Sequence, residues 1–104
     1  MNIKNRKNQK FSSEIESPKK PPLFGVIFLN DDYTPMDFVE SLLIQEFNMD
    51  PEIANFKTWR IHSYGWAFFG SFSRDVAEAK VARVRLLSQA EGHPFSCNIQ
   101  PINL

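Results

Sequence analysis

Asn30-Asp31-Asp32-Tyr33-Thr34-Pro35-Met36 decides how this chain folds, because a strand must end and a helix begin within it. Upstream lies an apolar run, Leu23 to Leu29, whose Val26, Ile27 and Phe28 predict a β-strand. Downstream, Asp37-Phe38-Val39-Glu40-Ser41-Leu42-Leu43 predicts a helix. Thr34 is a fitting N-cap for it, Pro35 suits the first helical position, and Asp37 complements the helix dipole from the first turn. A strand-to-helix turn needs one or two polar residues. Here Asn30, Asp31 and Asp32 crowd side-chain oxygens around one point. The excess has two readings: Asx-turn and capping chemistry, or a seat for a cation or an ammonium group.

Similar punctuation recurs further along. Asp50-Pro51-Glu52 repeats the cap, proline and acid signature and starts a second helix running to about His62, with Ser63-Tyr64-Gly65 as the turn after it. Trp66 to Phe72 is rich in aromatics and predicts a strand, in which Gly70 allows a close backbone approach. Ser73 caps a third helix, Arg74 to Glu91, and Gly92 is its expected stop. His93-Pro94 opens a last short strand through Cys97 and Ile99, ended by Pro101. The order β-α-α-β-α-β predicts an α+β fold, three helices on a small, mainly antiparallel three-stranded sheet.

Composition sets the outer limits. The 104 residues, 42% apolar with ten Phe, suffice for one domain with a core. Twelve basic and twelve acidic residues cancel, which excludes a general polyanion binder. One cysteine, Cys97, excludes an internal disulfide and fits a reducing compartment. No apolar run approaches a membrane span and no secretory signal is legible, so a soluble cytoplasmic domain is expected; it is also expected to be a monomer. Residues 1–22 hold six basic and two acidic residues, a charge of +4 that leaves −4 for the rest. With Pro18, Pro21 and Pro22 closing it and little to pack, this stretch is expected to be a flexible basic extension before a core domain of residues 23–104. It lacks aromatic platforms and arginine clusters, so nucleic acid is not an expected partner.

Helical spacing shows which side chains can meet. Met36 and Val39 form one ridge below the acidic turn, while Ala54, Thr58, Ile61 and His62 share a face of the second helix. If the two helices pack as a hairpin, His62 comes near the turn, and the apolar members either wall a space beside it or are ordinary core. His62 itself is either a ligand-binding imidazole or a helix-end histidine donating to a carbonyl. In the third helix, Lys80 interrupts the apolar arc of Val76, Ala77, Val81, Val84 and Leu87. It either snorkels to water or holds a charge in place for a partner, with Asp75 and Glu78 one turn away. Cys97, His62 and Asp31 are the only candidates for nucleophile and base. Cys97 lies in an apolar strand pattern and reads as a small buried hydrophobe. A metal site from His62, His93, Cys97 and an Asp lacks any paired ligand spacing, so no metal or cofactor is expected.

Four blocks, Leu29 to Val39, Ile61-His62, Asp75 to Val81, and Gly92-His93-Pro94-Phe95-Ser96-Cys97, together resemble the bacterial ClpS family, adaptors of the ATP-dependent Clp protease. The resemblance runs in order from about Phe24 to Ile99. It implies a non-enzymatic adaptor that captures proteins bearing a bulky apolar N-terminal residue and hands them to a Clp unfoldase, ClpA-like or ClpC-like. By that resemblance Asn30, Asp31 and His62 hold the substrate's α-ammonium, with Asp32, Thr34 and Pro35 supporting the turn. Met36, Val39, Thr58, Ile61 and Phe95 border the side-chain pocket, with Met36 as its gate. Asp75, Glu78 and Lys80 fall on the unfoldase-facing surface, and the basic extension engages the unfoldase during delivery.

The chain also departs from that pattern. Thr58 stands where methionine is usual, Ile61 where valine is common and Phe95 where leucine is usual, and Phe56-Lys57-Thr58-Trp59-Arg60 as a whole is atypical. The Thr58 hydroxyl and the Phe95 ring are expected to turn the pocket toward Phe, Tyr or Trp and away from Leu.

Overall fold

Alternation along β1, Leu23–Leu29, builds the sheet: Phe24, Val26 and Phe28 are buried on one face, while Ile27 and Leu29 turn to the other. The structure, a computed structural model, describes residues 21–102, so the expected basic extension lies outside the described residues except for Pro21 and Pro22. β1 is the middle strand. β2, Trp66–Phe72, and β3, Ser96–Ile102, flank it in the order β2-β1-β3, with Phe28 opposite both Ala67 and Cys97. Both pairings are antiparallel, so the three-stranded sheet is wholly rather than mainly so. β3 runs on through Pro101, where the strand was expected to end. As an edge strand it can carry a residue without an N–H and still pair with β1.

α1, Met36–Glu46, and α2, Pro51–Tyr64, pack on each other as a hairpin, and α3, Arg74–Ala90, lies against all three strands. The core between helices and sheet centres on Phe28, whose ring meets those of Phe47, Phe69 and Phe95 edge-on at centroid distances of 5.4, 5.0 and 5.0 Å. Such aromatic pairs are worth about 0.5–1.5 kcal/mol each beyond the area they bury. The other face of the sheet carries no helix among the described residues. Ile27, Leu29, Trp66 and Phe68 line an open cleft of about 630 Å³ there. The Phe68 ring lies over Gly25, where any β-carbon would collide with it.

The helix ends follow the sequence with two corrections. Asp50 caps α2 by accepting from the Glu52 N–H at 3.0 Å, and Ser73 caps α3 by accepting from the Val76 N–H at 3.4 Å. Thr34 does not cap α1: the N-cap position is Pro35, which has no side-chain cap, because the Thr34 hydroxyl is turned back onto Asp31. α2 also continues past His62 to Tyr64. Gly65, expected within a turn, is its left-handed C-cap at φ 90°, donating to the Ile61 carbonyl at 2.9 Å.

Candidate functional site

The acidic turn hangs from the end of β1 and is tied to the end of α2. The Asn30 N–H donates to the Gly65 carbonyl at 2.9 Å, which sets the turn against the helix end three residues beyond His62. The Asn30 side chain is exposed. Asp31 folds back on the turn. Its Oδ1 accepts from the N–H groups of Tyr33 and Thr34, both at 2.8 Å, and from the Thr34 hydroxyl at 3.0 Å. Its Oδ2 accepts the same hydroxyl at 2.7 Å. Thr34, expected as a supporting residue, is thus in direct contact with the carboxylate. Burial works against ionisation of Asp31, but the hydrogen bonds from Thr34 and Tyr33 and the nearby His93 outweigh it, holding the carboxyl below its ordinary value. Oδ1 is saturated. Oδ2, with one local donor, keeps capacity for an ammonium N–H. Asp32 and Pro35 are exposed on the same turn.

His62 is exposed, and its ring stands edge-on to Trp59 at a centroid distance of 5.8 Å. It makes no hydrogen bond among the described residues, so the helix-end carbonyl partner considered for it is not found. His93 is the neighbour of the turn that sequence reasoning missed as a site residue. Its imidazole rests edge-on against Phe38 at 4.6 Å, and its charge acts on Asp31. In the sequence it stood only as a metal ligand without paired spacing and within the Gly92-His93-Pro94 string, and neither pointed to Asp31.

The apolar set comes from both helices and the segment before β3. Val39 of α1, Thr58 and Ile61 of α2, and Phe95 are buried, none exposing more than 6%, while Met36 is half-buried. Val39, Ile61 and Phe95 belong to the one core cluster. Four of the five expected pocket residues are therefore closed around their neighbours in this structure, with Met36 the most accessible of the set. The Thr58 hydroxyl donates to the Ala54 carbonyl at 2.8 Å, so its proton is spent inside its own helix and it can meet a ligand only as an acceptor.

On α3, Asp75 is exposed and Glu78 pairs with Arg74 at 3.2 Å on the surface. Lys80 neither snorkels to water nor stands free. Its ammonium donates to the Glu46 carbonyl at 2.8 Å and lies over the rings of Phe47 and Phe72 at 5.2 and 5.4 Å. It serves the last turn of α1 as a cap, the role a basic residue fills best at a helix C-terminus.

Two chemistries find no support in this arrangement. Cys97 is buried, and burial pushes its thiol up to about 11 even with Arg85 pulling the other way. A thiol so placed is not a thiolate nucleophile at neutral pH. Among the described residues no group of three or more His, Cys, Asp or Glu side chains is placed to hold a metal ion, and no helix is long and apolar enough to cross a membrane.

Comparison with known proteins gives the site a context. Residues 19–98 match the family model described as ATP-dependent Clp protease adaptor protein ClpS. The ATP-dependent Clp protease adapter protein ClpS of Alkalilimnicola ehrlichii is 49% identical over 82 residues, covering 79% of this chain and 77% of the relative. The protein of that name from Xanthomonas campestris pv. campestris is 45% identical over 80 residues, 77% of this chain and 76% of the relative. Among solved structures, Agrobacterium tumefaciens ClpS2 bound to L-phenylalaninamide superposes with a TM-score of 0.76 at 32% identity, covering 80% of this chain and all of that one. A family model spanning most of the chain, relatives near half identity and a shared fold agree: this chain belongs to the ClpS family of ATP-dependent Clp protease adaptors.

Proposed function

We propose that the chain recognises substrate proteins by a free α-amine beside a bulky apolar first side chain and delivers them to a Clp unfoldase. One observation carries the reading: the superposed relative holds L-phenylalaninamide, a free amine on an aromatic residue whose carbonyl continues as an amide, like the first residue of a protein. In this chain the amine would fall to Asn30, the free lone pairs of Asp31 Oδ2, and His62. A neutral imidazole and an amide oxygen accept directed bonds, and the carboxylate balances the charge. The side chain would enter between Met36, Val39, Thr58, Ile61 and Phe95. Met36 is the residue best able to move aside, being half-buried and unbranched.

Magnitudes explain why both halves are needed. An aromatic side chain burying about 150–250 Å² at about 25 cal/mol per Å² gains about 4–6 kcal/mol. Charge-assisted bonds to the ammonium add about 1.5–3 kcal/mol each. Association costs at least about 4 kcal/mol. Together the two halves reach roughly micromolar affinity, near −8 kcal/mol.

The unfoldase, ClpA-like or ClpC-like, would dock on the exposed side of α3 at Asp75 and Glu78. Lys80 would contribute by fixing that helix on α1 rather than as a free charge. In this reading the protein acts as a monomer in the cytoplasm without catalysis of its own, and residues 1–22 serve delivery rather than capture. The test is reconstituted proteolysis of two reporters that differ only in starting with Phe or Ala. The chain should accelerate loss of the Phe reporter alone, and removal of residues 1–22 should stall degradation while sparing peptide binding. A second reading, docking on a Clp chaperone without N-terminal recognition, is favoured by the closed apolar walls. It predicts the same effect, or none, on both reporters.

A further inference from the structure

The outward side of α2 carries more aromatic surface than folding accounts for. Phe56, Trp59 and Tyr64 each expose more than half of their surface, and with Arg60 and Ser63 they line a cleft of about 200 Å³. The Arg60 guanidinium carbon lies over the rings of Tyr64 and Phe56 at 5.0 and 5.9 Å from their centroids, and the residue is exposed. Among the described residues no carboxylate is within ion-pair distance of Arg60 or of Lys57. Glu52, the nearest acid on the helix, is eight residues from Arg60, about 12 Å of helical rise. The strip is thus aromatic and locally cationic in a chain with no net charge.

This strip begins at the candidate amine site. Trp59 meets His62 edge-on, and around the helix the order from buried to outward runs Thr58, His62, Trp59, Phe56 and Arg60. A substrate whose first residue lies between Thr58 and His62 has a path onto Trp59. Phe56 is six residues before His62, about 9 Å along the axis. An extended chain covers that axial distance in about three residues at about 3.3 Å each, leaving about a third of a turn around the helix to be bridged by a substrate glutamate and the Arg60 side chain.

We infer that the outer face of α2, through Arg60 set between Phe56, Trp59 and Tyr64, is a second contact strip that reads acidic residues at about the third and fourth positions of the captured substrate. The inference rests on the proposed capture of the first residue. It adds a preference that the pocket itself does not provide. A carboxylate meets a planar guanidinium fork that already rests on two rings, and such a fork loses less side-chain entropy per hydrogen bond than a lysine ammonium does.

The test uses fluorescent peptides that start with a free Phe and carry Gln, Glu or Lys at positions three and four, titrated against the full chain and its Arg60→Gln variant. The wild-type protein should bind the Glu peptide about threefold more tightly than the Gln peptide, and the Lys peptide more weakly, with the gaps shrinking at high salt. Arg60→Gln should abolish the Glu preference and leave the Gln peptide's affinity unchanged. Circular dichroism checks that this exposed substitution leaves the fold intact. Equal affinities on wild type, a tighter Lys peptide, or a Glu preference that survives in Arg60→Gln would overturn the strip while leaving amine capture standing. Acetylated Phe peptides separate the two claims: if they bind as well as free ones, amine capture fails and the strip falls with it.

Discussion

At the N-terminal end of α1 every hydrogen bond to Asp31 comes from within three residues, whereas at its C-terminal end Lys80 and Arg83 reach Glu46 from 34 and 37 residues away. Both ends carry charges that sequence reasoning marked as functional. A turn bonded to itself can lend a carboxylate oxygen to a ligand without moving a helix. A lysine that joins two helices through a carbonyl cannot change partners without loosening their packing. The comparison separates polar groups with capacity to spare, Asp31 Oδ2 and His62, from one that is already committed, Lys80.

The largest expected effect is at the committed end. Lys80→Glu removes a charged hydrogen bond worth about 1.5–3 kcal/mol and a cation–π contact worth about 0.5–1 kcal/mol, and sets a carboxylate against a helix C-terminus. Stability measured by urea unfolding should fall by about 2–4 kcal/mol at constant m value. An unchanged midpoint with lost unfoldase binding would return Lys80 to a free surface role and erase the contrast.

A smaller effect belongs to the self-contained turn. Thr34→Ala removes the hydroxyl shared by both Asp31 oxygens, costing about 1 kcal/mol, and should let the carboxyl titrate nearer its ordinary value. Because the folded carboxyl lies below the 3.8 of an unperturbed aspartate, its contribution to stability is complete above that pH. It is lost as pH falls through the lower folded value. In Thr34→Ala that contribution should be smaller and its loss complete at higher pH, because the Asp31 carboxyl itself titrates higher, which NMR titration can follow. An unshifted titration would mean that the Thr34 hydroxyl does not hold the carboxylate.

Least of all should change at Thr58. Its hydroxyl adds a second bond to a carbonyl that the helix already uses, so Thr58→Val should alter stability by no more than about 0.5 kcal/mol. The ratio of affinities for Tyr- and Phe-starting peptides should also stay put. Loss of a Tyr preference in this variant would show that the hydroxyl reaches the ligand as an acceptor.

The fold was legible because its punctuation is local. Asp50, Ser73 and Gly92 act where their residue types direct, and the alternation in Leu23–Leu29 identifies the strand that the other two flank. Thr34 misled because its side chain turns back to donate its O–H to a carboxylate three residues earlier, which carries its oxygen away from the helix N–H groups it would cap. Lys80 was recognisable as an anomaly but not as a cap, since its partner is 34 residues away and nothing in helical spacing identifies the Glu46 carbonyl. His93 was illegible for the same reason. Its effect on Asp31 depends on how the segment after α3 returns to β1, which is a tertiary fact.

Titration calorimetry with L-phenylalaninamide and its N-acetyl derivative tests amine recognition most directly, on the wild-type protein and on Asp31→Ala. The free amine should bind the wild type, and acetylation or Asp31→Ala should each weaken binding at least about tenfold, roughly 1.4 kcal/mol. Equal binding of the free and acetylated compounds would contradict the account.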